Sequence, residues 1–227
     1  GMGGIGTSIC QRLHKEGFTV VAGCGPTRDH AKWLAEQKAE GYTFYASVGN
    51  VGDWDSTVEA FAAVKAVHGP ISVLVNNAGI TRDGQFHKMT KADWDAVIST
   101  NLNSMFNVTK QVVGDMIEAK FGRIINISSV NGQKGQFGQV NYSTAKAGLH
   151  GFTMALAQEL AAKGVTVNTV SPGYIGTDMV KAIRRIFAAI TVALLAFRAV
   201  GSFLSWVENQ EDSTSDAWID EEEFEDV

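Results

Sequence analysis

The stretch ISVLVNNAG, residues 71–79, decides the fold class of this chain. Its first half is a short run rich in apolar, β-branched residues, which is typical of a strand covered on both faces by helices. The amide and small residues that follow, Asn76 to Gly79, stand where such a strand would end. Ligands bind at the carboxyl ends of strands in open α/β sheets. The stretch therefore predicts a buried parallel strand with a ligand cleft at its end.

Similar apolar runs lie on both sides of this stretch and alternate with longer segments of helical pattern. The predicted strands are 18–22, 42–47, 71–76, 123–128 and 165–170, and the predicted helices are 5–16, 29–40, 53–67, 91–119 and 142–163. Glycines that can end a helix follow several of them, at Gly17, Gly41, Gly69 and Gly164. Strands that alternate with helices predict one α/β domain with a doubly wound parallel sheet, a Rossmann fold.

Both ends of the chain depart from this pattern. The chain opens in a glycine-rich turn, residues 1–6, which normally links a first strand to the first helix, so we expect that strand to be missing. Residues 1–184 are the predicted domain, 185–207 are an apolar segment, and 208–227 are an acidic tail that we expect to be disordered. The fold is thus expected to be incomplete at both ends.

Three interpretations of the apolar segment are open: a membrane anchor, a helix packed on the domain, and an unrelated stretch produced by a reading-frame error. Residues 186–207 are about long enough to span a bilayer. Arg198 lies near the middle of the segment, where an arginine costs roughly 2.5 to 3.5 kcal/mol on insertion scales. We therefore favour the third interpretation and expect no membrane attachment.

Charge and cysteine content limit the classes of partner. The last twenty residues hold ten of the 24 acidic side chains and no Lys or Arg, so residues 1–207 carry a net charge of +5. A mildly basic body suits an anionic small molecule, and we expect no nucleic-acid partner. Cys10 and Cys24 are too few for a disulfide framework and have no metal-ligand spacing. We expect a reducing, cytoplasmic location and no metal site.

The opening glycines allow the backbone to approach a pyrophosphate closely, at the N-terminus of the first helix. By itself such a run is more often an ordinary turn. An NAD site would place an Asp or Glu after the second strand of the fold, but here Ala22 is followed by Gly23-Cys24-Gly25, with Arg28 just beyond. This favours NADP(H). The alternative is that Arg28 is a solvated loop charge.

Tyr142 and Lys146 are four residues apart, so a helix places them on the same face. A nearby ammonium favours the phenolate and would lower the tyrosine pKa from its reference value near ~10. A tyrosine tuned in this way can act as a general acid or base. A lone Tyr-x-x-x-Lys pattern usually means two surface residues. Here Ser129, which follows the preceding predicted strand, favours a catalytic pair.

These motifs, taken in order and spacing, resemble the short-chain dehydrogenase/reductase family. The residues that carry the resemblance are Gly4-Ile5-Gly6, Asn76 to Gly79, Asn101, Ser129, Tyr142-x-x-x-Lys146 and Pro172-Gly173. The resemblance covers residues 1 to about 184 and implies an NADP(H)-dependent enzyme that reduces a carbonyl group. It also implies a homotetramer, with part of the interface on the predicted helices 91–119 and 142–163.

The resemblance assigns a role to each catalytic residue. Tyr142 would protonate the substrate oxygen, Ser129 would polarise it, and Lys146 would hold the nicotinamide ribose and lower the Tyr142 pKa. Asn101 would bind a water that relays protons to Lys146, unless it is a helix amide bonded to backbone. The cofactor contacts that it implies are Gly1, Gly3, Gly4, Ile5, Gly6, Arg28, Asn50, Val51, Asn77, Ala78, Gly79, Tyr142, Lys146, Pro172, Gly173 and Thr177.

Within the family, the loop of residues 129–139 is similar to that of bacterial reductases of acetoacetyl-CoA, which supply (R)-3-hydroxybutyryl-CoA to polyhydroxyalkanoate synthesis. This implies an acyl-CoA thioester as substrate, with contacts from Gln136, Phe137, Gln139 and Tyr174. Ordinary loop packing is the alternative for these four. Two other functions stay open: reduction of the same group on acyl carrier protein, and an inactive Rossmann-like fragment.

Overall fold

A computed structural model describes residues 1–173 and residue 175, in which helices and strands alternate. The strands are β1 Val21–Cys24, β2 Tyr45–Val48, β3 Val73–Asn76, β4 Gly122–Ile127 and β5 Val165–Val170. The helices are α1 Gly4–Lys15, α2 His30–Ala39, α3 Trp54–His68, α4 Lys91–Ile98, α5 Ser104–Glu118, α6 Asn131–Lys134 and α7 Val140–Leu160. Two 3-10 turns, Phe86–Lys88 and Ala161–Lys163, and a π-helical turn, Ser99–Asn103, complete the elements.

All the strands described pair in parallel, and they form two groups. β1 pairs with β2, with Val21 opposite Tyr45. β4 lies between β3 and β5, with Leu74 opposite Ile124 and Ile124 opposite Val167. The predicted Rossmann-like α/β class is confirmed. The predicted single sheet is present as a two-stranded and a three-stranded sheet in the residues described, and no strand precedes α1 there.

The predicted strands all form, with shifts at their ends. β5 begins and ends as predicted, whereas β1 begins at Val21 instead of residue 18 and β2 at Tyr45 instead of residue 42. The chain before β1 leaves α1 through Gly17, whose φ of 86° closes the helix. Residues 18–20 connect the end of α1 to the sheet, so the strand pairing of β1 begins only at Val21.

Short polar side chains start several helices. Asp29, Asp53 and Thr90 each accept a hydrogen bond from a backbone N–H of the first turn that follows. The glycines predicted to end helices have positive φ, which confirms their role at residues 17, 41, 69 and 164. The helix predicted over 91–119 was wrong as one regular helix, because the π-helical turn interrupts it between α4 and α5.

Two apolar clusters hold the layers together. One lies under β1 and β2 and contains Cys10, Val20, Ala22, Trp33 and Phe44. The other joins the three-stranded sheet to α5 and α7 through residues that are almost fully buried: Leu74, Val108, Val112, Met116, Ile124, Leu160, Val165 and Val167. Burial of these side chains fixes α5 and α7 on the sheet whose strand ends carry the predicted site.

Residues 174 and 176–227 lie outside the described part of the chain, and so do the predicted apolar segment, the acidic tail, Tyr174 and Thr177. The proposed domain boundary at residue 184 stays a prediction. Among the helices described, none has the length and apolar character needed to cross a bilayer. Nor do the described residues contain a group of three or more His, Cys, Asp or Glu side chains placed to hold a metal ion.

Candidate active site

The candidate site lies where β3, β4 and β5 end. Asn77 to Gly79 follow β3, Ser129 follows β4, and Pro172 follows β5, so the parallel register brings these predicted residues to the same edge of the sheet. Backbone hydrogen bonds join two of the loops, from Ser128 N to Val170 O at 2.7 Å and from Val130 N to Pro172 O at 3.1 Å. The edge is thus one connected surface.

Helix α7 carries Tyr142 and Lys146 on the face that packs on this edge. Lys146 is buried, with 4% of its surface exposed, and its Nζ donates a 2.7 Å hydrogen bond to Ile127 O. The ammonium lies 5.7 Å from the centre of the Tyr142 ring. Burial lowers the Lys146 pKa to about 8. A cation held in this way is a fixed, desolvated charge beside the tyrosine.

Tyr142 and Ser129 lie close to each other across the site. Burial raises the Tyr142 pKa above its ordinary value, hydrogen bonding to the Ser129 side chain opposes this shift, and the charge of Asp83 adds to it. The expectation of a lowered Tyr142 pKa is wrong for this arrangement, because the effect of burial outweighs the opposing effect of Ser129. Tyr142 is therefore a protonated phenol at neutral pH.

Asn101 lies in the π-helical turn and is fully buried. Its side-chain amide forms two hydrogen bonds with the backbone of Ile80, accepting from N at 2.8 Å and donating to O at 2.9 Å. The alternative of an amide bonded to backbone therefore describes the side chain, which fixes the loop after β3. The predicted role of Asn101 in a proton relay stays a proposal.

Gly79 shows how closely these groups converge. A Cβ built on Gly79 would lie 3.5 Å from Asn101 Oδ1 and 3.5 Å from Lys146 Nζ, so the loop after β3 passes directly over both side chains. The structure brings the catalytic candidates Ser129, Tyr142, Lys146 and Asn101 close together, and their catalytic roles stay predictions. The site can supply a phenol proton, a hydroxyl and a buried cation at one cleft.

The glycine-rich turn has the form of an anion cradle. Helix α1 begins after Gly3 without a side-chain cap, so its first N–H groups are open to a ligand. A side chain at Gly6 would overlap the carbonyl of Gly1 and approach Asn77 Nδ2 to 3.0 Å. The guanidinium of Arg28 donates a 2.9 Å hydrogen bond to Met2 O, which places a positive charge at this turn.

Three further cofactor candidates, Asn50, Val51 and Pro172, lie in loops that hydrogen bonds hold in place. Asn50 N donates to Ser56 Oγ at 2.9 Å, and Val51 O accepts from Asn107 Nδ2 at 3.0 Å, so both backbone segments are fixed. Pro172 O is bound by Val130 N, as described above. Thr177 falls outside the described residues, so its predicted contact stays a prediction.

Three of the predicted substrate residues, Gln136, Phe137 and Gln139, lie on the loop between α6 and α7. Gln139 bridges two groups, accepting from Asn131 Nδ2 at 2.9 Å and donating to Asp83 Oδ2 at 2.9 Å. The backbone carbonyl of Gln136 accepts a 3.1 Å hydrogen bond from Gln139 N. Phe137 is 83% exposed and free to contact a ligand. Tyr174 falls outside the described residues.

Sequence reasoning missed two residues that position the site. A Cβ on Gly132 would lie 2.7 Å from the backbone carbon of Lys146, so only glycine lets α6 pack on α7 there. Asn141 is fully buried, and its amide donates to Arg82 O at 3.0 Å while its oxygen accepts from Tyr142 N at 2.7 Å. The one sequence signal for Asn141 was its place directly before Tyr142.

Comparison with known proteins agrees with this geometry. The family model for short chain dehydrogenases matches residues 1–186. The acetoacetyl-CoA reductase of Cupriavidus necator is 65% identical over 222 residues, which cover 95% of this chain and 90% of that protein. Nodulation protein G of Azospirillum brasilense is 61% identical over 184 residues, 81% of this chain and 75% of that protein. The acetoacetyl-CoA reductase of Allochromatium vinosum is 59% identical over 181 residues, 79% of this chain and 74% of that protein.

Proposed function

The chain belongs to the short-chain dehydrogenase family, and from this we propose that it is an NADPH-dependent reductase that converts acetoacetyl-CoA to (R)-3-hydroxybutyryl-CoA. It is an oxidoreductase that acts on a CH–OH group or its carbonyl and uses a nicotinamide cofactor. One observation carries the proposal: the buried Lys146 ammonium lies 5.7 Å from the Tyr142 ring, and the Ser129 side chain lies close enough to Tyr142 to lower its pKa. The names of two relatives, which describe acetoacetyl-CoA reductases, support the substrate.

The nicotinamide cofactor fits the residues present. The uncapped start of α1 suits a pyrophosphate, and the backbone at Gly79 lies close to Lys146 Nζ, since an added Cβ would be 3.5 Å from it. When bound, the cofactor supplies the hydride that reduces the carbonyl carbon. Arg28 at the glycine-rich turn supports NADP(H) over NAD(H), because its guanidinium can pair with a ribose phosphate and no acidic residue follows β1 before it.

Tyr142 is the proton donor in the proposed reaction. Because its pKa is raised, the phenol is protonated at neutral pH and can deliver its proton to the substrate oxygen as that oxygen gains charge. Ser129 Oγ stands beside it and can donate a second hydrogen bond to the same oxygen, which stabilises the developing charge. Lys146 adds a desolvated positive charge near the phenolate that remains.

The loop at the substrate end of the cleft supports the proposal of a bulky thioester substrate. Phe137 is 83% exposed on the loop between α6 and α7, while the bonds of Gln139 to Asn131 and Asp83 keep that loop against the site. We propose that Gln136, Phe137, Gln139 and Tyr174 contact the acyl chain and its carrier. The mildly basic charge of residues 1–207 suits the phosphates of coenzyme A.

We also propose a cytoplasmic homotetramer that serves polyhydroxybutyrate synthesis. Two exposed apolar side chains support self-association through α5 and α7: Phe106, which stacks on Trp54, and Met154. No nucleic acid or membrane partner is proposed.

The function is tested by following NADPH absorbance as the protein meets acetoacetyl-CoA, with NADH and an acetoacetyl-acyl-carrier-protein as comparison substrates. We expect NADPH consumption with the CoA thioester, lost by at least a thousandfold in Tyr142→Phe, since the phenol proton is then absent. Faster turnover of the carrier-protein thioester would identify the other reductase. Absence of both NADPH binding and turnover would mean an inactive Rossmann-like chain.

A further inference from the structure

A histidine on α7 reaches the residues beside Ser129 at the end of β4. His150 is half-buried, and its Nε2 lies 3.2 Å from Ser128 Oγ and 3.4 Å from Ser171 Oγ. Ser128 directly precedes Ser129, and Ser171 directly precedes Pro172. One imidazole nitrogen therefore contacts the residues that follow both β4 and β5, at the edge of the sheet where the candidate site lies.

The bond that Ser128 makes to α7 decides the direction of this contact. Ser128 is buried, and its Oγ donates a 2.7 Å hydrogen bond to Lys146 O. A hydroxyl has one proton, so Ser128 Oγ accepts from His150 and does not donate to it. The ring proton of His150 is therefore on Nε2. Ser128 is thus bound to two residues of α7 that are one turn apart.

The same ring proton also faces Ser171. Ser171 Oγ lies 3.4 Å from His150 Nε2, and Gln133 Nε2 of α6 donates a 3.5 Å hydrogen bond to it. One N–H shared between two acceptors is a three-centre bond. His150 therefore links the loop after β4 to the loop after β5 through side chains, in addition to the backbone bonds between them.

These bonds fix the chain directly before Ser129. Ser129 Oγ accepts a 3.1 Å hydrogen bond from Asn131 N, so its own proton can be donated into the site. The direction of that proton depends on the position of the backbone where β4 ends. Because His150 binds Ser128, this backbone is tied to the helix that also carries Tyr142.

We propose that His150 is a positioning residue: its Nε2–H keeps Ser128 and Ser171 together, and with them the loops that follow β4 and β5. The inference rests on the proposed function, in which Ser129 bonds the substrate oxygen as charge develops there. A shift of Ser129 would weaken that bond in the transition state, whereas the proposed contacts to the thioester carrier come from other residues. Loss of His150 should therefore lower kcat and leave KM nearly unchanged.

Steady-state kinetics with acetoacetyl-CoA and NADPH test the proposal with two substitutions at this position. His150→Leu removes the donor, so kcat should fall roughly tenfold or more with little change in KM, as for a small displacement of a catalytic group. His150→Gln restores an N–H donor and should recover most of the lost kcat. His68→Leu is the matched control, because His68 packs on Tyr45 at the start of β2, whereas the site lies where strands end.

A double-substitution cycle shows whether His150 acts through Ser128. In a Ser128→Ala background, His150→Leu should have little further effect on kcat, because the group that receives its bond is already absent. Urea unfolding of each variant establishes that the rates belong to folded protein. An unchanged kcat in His150→Leu, equal losses in the Leu and Gln variants, or losses that multiply in the double variant would each overturn the proposal.

Proton NMR separates this proposal from the proposed function. In protein labelled with ¹⁵N-histidine, the Nε2–H of His150 should give an observable signal, since a hydrogen-bonded ring proton exchanges slowly with water. The signal should be absent in His150→Gln and shifted in Ser128→Ala. Its presence supports the arrangement even if acetoacetyl-CoA is not reduced, in which case the proposed function alone fails. Its absence from the unsubstituted protein overturns the proposal, and this readout also decides if His150→Leu does not fold.

Discussion

Lys146 Nζ donates a 2.7 Å hydrogen bond to Ile127 O, so the ammonium of the catalytic helix is anchored to the last residue of β4. The bond holds α7 in register with the strand that leads to Ser129. It also keeps a charge in a buried place, which lowers the Lys146 pKa to about 8. This charge has a measurable cost in stability.

The cost should appear as a pH dependence of unfolding. Below pH 8 Lys146 is charged in both states and the cost is fully present; as pH rises toward 10.5 the folded lysine loses its proton first and the cost is relieved. Relative to Lys146→Met, the unsubstituted protein should therefore gain about 3 kcal/mol between these values. Urea unfolding at several pH values measures this, and exposed Lys110→Met is the control. A difference independent of pH would contradict the buried charge.

Gly132 should be required for activity more than for folding. An added methyl would lie 2.7 Å from the backbone carbon of Lys146 and 2.9 Å from Ala147 N, so Gly132→Ala pushes α6 and α7 apart. We expect kcat for acetoacetyl-CoA reduction to fall about 100-fold, as for a displacement of about 1 Å in a catalytic group. Gly151→Ala is the matched control on α7, since nothing lies within 4 Å of its added methyl. Similar kcat values for the two variants would exclude this effect.

Arg28 should set the choice of cofactor. Removing its charge with Arg28→Gln should weaken NADPH binding about tenfold or more, the range for a hydrogen bond to a charged group, and leave NADH binding unchanged. Fluorescence titration with each dinucleotide measures both constants. Arg12→Gln is the control, because Arg12 is exposed and paired with Glu16 at 2.7 Å. An equal loss for NADPH and NADH would show that Arg28 acts through Met2 and the turn alone.

Gly164 should be costly to replace. Its φ is +76°, and a Cβ there would overlap Lys120 O, whereas Gly17, with φ +86°, has nothing within 4 Å. Gly17→Ala should lose about 1 to 2 kcal/mol of unfolding free energy for the left-handed backbone alone. Gly164→Ala should lose more than about 3 kcal/mol, because the overlap adds to this cost. Denaturant unfolding compares them, and equal losses would mean that the loop near Lys120 relaxes.

The order of strands and helices could be predicted from the sequence because apolar runs and helix-ending glycines are local signals. β5 matched at both ends, since Val165 to Val170 alternate and Gly164 marks the start. The start of β1 could not be predicted, because Phe18 to Val20 are as apolar as the strand itself. These residues connect α1 to β1, and where the strand begins depends on the position at which α1 ends.

The candidate site could be predicted as a set of positions, but not as a set of contacts. Spacing placed Tyr142 and Lys146 on one helical face, and the structure brings Ser129 to them. The predicted direction of the Tyr142 pKa shift was wrong, because the shift depends mainly on how deeply the phenol is buried. Gly132 is required because α6 packs closely on α7. This packing could not be predicted from the sequence, because no local pattern encodes it.

The π-helical turn at Ser99–Asn103 sets the phase of the long helical stretch that contains it. A π turn holds one residue more than an α turn, so loss of a single residue there would restore regular winding. Because the π turn takes up that extra residue locally, α4 and α5 would keep nearly the same phase. The change would instead fall on the turn itself, where the side chain of Asn101 bonds the backbone of Ile80. Substitutions are therefore easier for this segment to accommodate than any change in its length.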